Sequence, residues 1–183
     1  MDVAIELEMT MKRILLPALL ALACGPALAQ MPAQSPAPAD AVPAMAVGAN
    51  DRPIHDAARL GNGKDIARLL KADPAMRDAR TQHGSTPLHL AATNPDSSAL
   101  QALLAAGAEV NARDSEGLTP LHMTAYTQNA KNAELLLQAG ADPYAKTNAG
   151  RDPTSMARKT RSDEVSGVIS LWILKGCKAG KPC

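Results

Sequence analysis

Gly84-Ser85-Thr86-Pro87-Leu88-His89-Leu90-Ala91-Ala92 is echoed 33 residues later by Gly117-Leu118-Thr119-Pro120-Leu121-His122-Met123-Thr124-Ala125. A fixed period of this size marks stacked structural units rather than one globular core. Working outward, proline recurs at Pro53, Pro87, Pro120 and Pro153, at spacings of 34, 33 and 33. The first three are followed by an apolar residue and a histidine: Ile54-His55, Leu88-His89 and Leu121-His122. Leucine pairs come next, Leu69-Leu70, Leu103-Leu104 and Leu136-Leu137, the second member lying 15 residues beyond each histidine. The middle units share a further element, Ala106-Gly107-Ala108 and Ala139-Gly140-Ala141.

One unit can be read from its chemistry. Thr86 suits an N-cap, and Pro87 suits the first helical turn, where a missing N–H costs nothing. Leu88 to Ala92 predicts a short helix whose small residues let neighbours approach closely. Asn94-Pro95-Asp96-Ser97 is a break. A second helix is predicted over 98–105, with Leu100, Leu103 and Leu104 at helical spacing on one face. Gly107 can take the left-handed conformation after its last turn. Residues 110–117 are polar and turn-rich, and predict a hairpin-like finger. Such a helix pair is too small to bury its apolar face alone and becomes stable only against its neighbours. A core of Leu, Ala, Met and Val at close helix spacing also accounts for the lack of Phe and the presence of only one Trp and two Tyr.

With Gly-x-Thr-Pro-Leu-His and Leu-Leu-x-x-Gly-Ala in tandem and in register, the sequence resembles the ankyrin repeat family over roughly 130 residues. The resemblance implies an all-α solenoid of about four helix-turn-helix repeats with short fingers, at 51–83, 84–116, 117–149 and 150–183. The first repeat is divergent, with Arg52 in place of Thr, Asp73 near the position of Gly, and one extra residue. The last is degenerate: Gly150, Pro153 and Ala157 persist, but Ser155 replaces the histidine. Terminal units face solvent on one side and tend to be atypical.

Ahead of the repeats, Met11-Lys12-Arg13 precedes the apolar run Ile14 to Ala23, and Ala27-Leu28-Ala29 follows. A basic start, a short apolar run and a small-x-small site predict a secretory signal peptide over residues 1–29, cleaved after Ala29. Met11 is the expected start, because Asp2, Glu6 and Glu8 are out of place before Lys12. A rival reading uses Ala21-Leu22-Ala23-Cys24 as a loose lipoprotein signal, with Cys24 lipidated. Residues 30–50, rich in Ala and Pro, predict a disordered linker.

The net charge of +1 becomes +2 once residues 1–29 are removed, too balanced to predict nucleic-acid binding. Export exposes Cys177 and Cys183 to oxidising conditions, and a bridge closing the small loop between them is expected. The address implied is the bacterial periplasm, with secretion as the alternative.

His55, His89 and His122 invite a metal or catalytic reading, but their register argues against it. Equivalent positions in stacked repeats lie about 8–10 Å apart, whereas a shared zinc needs ligands about 2 Å from the ion. In the ankyrin family this histidine bonds backbone across the turns. No nucleophile elbow, phosphate loop or metal-binding cysteine set is present, so no catalytic residue, cofactor or metal is expected.

The family resemblance implies that a protein partner docks on finger tips and inner helices. Carried over by position, the candidate residues are Arg80, Thr81, Gln82 and His83 of the first finger; Arg113, Asp114, Ser115 and Glu116 of the second; and Lys146, Thr147 and Asn148 of the third. Arg59, Thr93, Tyr126 and Gln128 come from the inner-helix ends. Tyr126 is either an interface anchor, since aromatics dominate interface energetics, or a packing residue beside Leu90 and Met123. Arg80, Arg113 and Lys146 align either as a basic ladder for an acidic partner or as a solvated face. The expected function is a non-catalytic scaffold or adaptor for another protein; the alternatives are a secreted effector acting on a host protein and a redox-linked envelope accessory.

Overall fold

The computed structural model describes residues 51–181, which lie within one compact unit. The readings made on residues 1–50 (signal peptide, Cys24 and linker) and on Cys183 lie outside the described residues. Eight helices are described and no strand. They are α1 Pro53–Leu60, α2 Gly63–Ala72, α3 Pro87–Thr93, α4 Ser97–Ala105, α5 Pro120–Thr127, α6 Ala130–Gln138, α7 Pro153–Lys159 and α8 Asp163–Leu174. A short 3-10 turn, Pro74–Asp78, follows α2.

The helices form four consecutive hairpins. The inner row α1, α3, α5, α7 and the outer row α2, α4, α6, α8 each pack neighbour on neighbour. Prolines at the first turn start every inner helix. Asn62, Asp96 and Asn129 cap outer helices α2, α4 and α6 by accepting from backbone N–H groups. Leu88, Leu100, Leu103, Leu121, Leu136 and Ile169 are fully buried in one continuous core with Ala57, Ala91, Ala125 and Ala157. Fully burying a leucine contributes about 1.5–3 kcal/mol, and helices pack both within a hairpin and against the next repeat. Leu104, expected on the same face, is only half-buried.

Gly107 and Gly140 take positive φ of 77° and 101° after α4 and α6. The first repeat does without that glycine. Asp73, with φ −146°, ends α2 and caps the 3-10 turn by accepting from the Ala75 N–H at 2.9 Å. The extra residue of this repeat is absorbed there.

The fourth repeat changes residue type at positions that the third repeat buries. Where Leu121, His122, Ala125 and Leu137 are buried, the equivalent positions are Thr154 and Ser170, half-buried, and Ser155 and Arg158, exposed. Helix α8 runs longer than its counterparts, and the segment after it turns back so that the Gly180 N–H donates to the Gln138 carbonyl at 2.9 Å.

Candidate interaction surface

The three histidines hold each finger to its inner helix. The Thr86 N–H donates to His89 Nδ1 at 3.1 Å, and Nε2 lies 3.0 Å from the Leu118 carbonyl. A carbonyl can only accept, so Nε2 carries the proton and Nδ1 is bare. The Thr86 hydroxyl, 2.9 Å from Nδ1, therefore donates to it as well. His122 repeats the arrangement with Thr119 at 3.1 Å and the Arg151 carbonyl at 3.2 Å. His55 accepts from the Arg52 N–H at 2.8 Å and reaches Ala79 at 3.0 Å, a carbonyl of its own repeat's finger. Burial lowers the pKa of His89 and His122 below the ordinary value, outweighing the pull of the carbonyls they face and of Asp114. Both ring nitrogens of each histidine are thus committed to the fold. No group of three or more His, Cys, Asp or Glu among the described residues is placed to hold a metal ion.

Each finger is a tight reversal. Thr81, Asp114 and Thr147 donate their N–H to the carbonyls of Ser85, Leu118 and Arg151 at 3.0, 3.0 and 2.9 Å. The Asp114 carboxylate accepts from the N–H of Glu116 and of Leu118. Fingers are then stitched to one another: Ser115 N–H to the His83 carbonyl, Asn148 N–H to the Glu116 carbonyl, both 3.0 Å. Gly117, with φ +75°, sits under this seam, and a Cβ there meets Asn148 N at 2.9 Å.

The basic ladder has a structural use. Arg80 Nη1 donates to the carbonyls of Gly84 and Arg113 at 2.9 and 2.7 Å, and Arg113 Nη2 donates to that of Lys146 at 2.6 Å. Each guanidinium spans to the next finger, and Arg80 also lies 3.7 Å from Glu109. Lys146 is exposed.

The remaining candidates divide between fold and solvent. Thr93 is half-buried and bonds the Leu90 carbonyl, and Arg59 pairs with Asp56. Gln82 and His83 are exposed, as is Gln128, which ends α5 at φ +58°. Tyr126 is 52% exposed. It opens onto a groove of about 290 Å³ between the second and third fingers and the inner helices α5 and α7. The groove brings Tyr126, Glu116 and Asn148 together with Ser115, Leu118 and Thr147. It also includes Arg151 and Met156, which sequence reading passed over. Their signal was register: Arg151 stands in line with Ser85 and Leu118, and Met156 with Leu90 and Met123.

A second layer of bonds also went unread. Asn132 is fully buried in α6 and its Nδ2 donates to the Asn94 carbonyl at 2.9 Å and to those of Ala91 and Ala92 at 3.3 Å, satisfying the open end of α3. Asn94 does the same for α1 through the carbonyls of Ala58 and Gly61.

A family model described as ankyrin repeats (3 copies) matches residues 53–147, more than half of the chain. No curated protein matches it.

Proposed function

We propose that this chain, which belongs to the ankyrin repeat family, binds another protein through the groove at Tyr126. Ankyrin repeats serve in general as protein-interaction scaffolds, and the family is typically non-catalytic. Fold alone does not define a function, so the reading rests on the site. The observation that carries it is a large, half-exposed aromatic in a chain nearly devoid of aromatics, standing in a recess whose finger walls are already hydrogen-bonded to one another. Preorganised walls reduce the entropy lost on binding.

The scaffold acts in the bacterial envelope. The basic start, apolar run and Ala27-Leu28-Ala29 site support export to the periplasm. No helix among the described residues is long and apolar enough to cross a membrane. A Cys177–Cys183 bridge fits that address and staples the end of the array. Titration of the denatured, unreduced mature protein, without residues 1–29 and so without Cys24, is expected to find no free thiol, and two would refute the bridge. The binding reading is tested by Tyr126→Ala. Loss of partner affinity with an unchanged melting temperature supports it; unfolding with unchanged affinity refutes it.

A further inference from the structure

The charges of the array are sorted along its length. Residues 51–145 carry nine Lys or Arg against eleven Asp or Glu, whereas residues 146–181 carry eight against three. The ion pairs follow the same division. Arg52, Arg59, Arg68, Arg77 and Arg80 each lie within 4 Å of a carboxylate. No basic residue from Arg113 to Lys181 forms an ion pair among the described residues. The few acids at this end are used or turned away. Asp152 caps α7 by accepting from the Ser155 N–H and hydroxyl at 2.7 and 3.0 Å. Asp163 and Glu164 occupy the first turn of the outer helix α8.

One of these bases stands at the groove itself. Arg151 lines it together with Tyr126 and Met156. Lys159 is exposed on the inner helix α7, one repeat along from Tyr126 and in register with it. Glu116, the acid on the lining, belongs to the second finger, where its carbonyl accepts from the Asn148 N–H at 3.0 Å.

We propose that the occupant of this groove is an acidic protein segment, with an apolar side chain set against Tyr126 and Met156 and carboxylates toward Arg151 and Lys159. The proposal rests on the groove being the binding surface and adds the chemistry of its partner. Complementary charge speeds encounter and rejects wrong partners. Arg151 and Lys159 are solvent-exposed, so they repel a basic segment and attract an acidic one within about 8 Å, the Debye length at physiological salt, and less so as salt rises.

Random twelve-residue peptides displayed on phage and selected on the purified protein supply the probe. The expected enrichment is of net-negative sequences with an apolar residue, bound more weakly as salt rises. Affinity of the best one should fall about tenfold in Arg151→Glu and in Lys159→Glu, and stay unchanged in Arg68→Glu. Both key side chains are exposed, so circular dichroism melts should match the parent. Enrichment of neutral or basic peptides that still depend on Tyr126 overturns the acidic partner and leaves the groove reading standing. Enrichment of no peptide, or of peptides indifferent to Tyr126, overturns both. Binding to phosphatidylglycerol vesicles but not phosphatidylcholine ones, without enrichment of acidic peptides, assigns the charge to a membrane surface and overturns the proposal.

Discussion

The two ends of the array meet the same problem differently. Among the described residues, the first and fourth repeats each have a stacking face with no further repeat against it. The first repeat keeps its histidine and its proline-started helix, and covers itself with arginines paired to neighbouring carboxylates. The fourth drops the histidine, exchanges leucine and alanine for Thr154, Ser170 and Arg158, and lengthens its outer helix. At the first end five arginines sit against carboxylates while Lys64 and Lys71 do not; at the other no base lies within 4 Å of a carboxylate among the described residues. The difference leaves more uncompensated positive charge at the fourth repeat, with seven bases against three acids over 150–181, than at the first, with seven against five over 51–83.

The comparison breaks most readily at the core. Leu103→Ala and Leu136→Ala, fully buried in the middle repeats, should each cost about 2–5 kcal/mol in chemical denaturation. Ile169 is the equivalent in the fourth repeat and is also fully buried, whereas Leu69 in the first is half-buried. Ile169→Ala should therefore approach the middle repeats, and Leu69→Ala should fall clearly below them. Equal losses at 69 and 169 would erase the asymmetry.

Next come the imidazoles. His122→Ala removes bonds to Thr119 and Arg151 and leaves buried groups unpaired, an expected cost of about 1–3 kcal/mol each. These histidines also set an acid dependence. His89 and His122 have folded-state pKa values below 6.5. Between those values and 6.5 the unfolded chain binds more protons, so stability rises with pH there. It is fully present above 6.5 and lost as pH falls toward the folded values. Thermal melts at pH 7.5 and 5.5 should show the drop, and His122→Gln should shrink it.

Much of this was legible. Proline, histidine and leucine spacing placed the repeats, because a repeating backbone imposes the same steric and hydrogen-bonding demands at each period. The glycines at 107 and 140 were legible for the same reason. Bonds between repeats were not. Asn132 lies in register with Ala99 and Val165, so periodicity marks it as a core position and conceals a polar clamp. Arg80 and Arg113 have a basic-ladder spacing, yet their guanidiniums span fingers to reach carbonyls, a use that spacing cannot distinguish from partner binding. The groove escaped notice as a whole because Arg151 and Met156 come from the degenerate repeat, where family positions carry least information.

Smaller effects sharpen the contrast. Arg113→Ala should cost about 0.5–1.5 kcal/mol for its cross-finger bond. Arg68→Ala, which breaks a solvent-exposed pair with Asp65, should stay within about 0.5 kcal/mol in the same denaturation series.

The central claim is that the Tyr126 groove, and not the outer helices, meets the partner. A photo-crosslinking amino acid placed at position 126, and separately at position 68 on α2, tests it in the producing cell. A discrete crosslinked protein is expected from position 126 and none from 68. A crosslink from 68 with silence at 126 would contradict it.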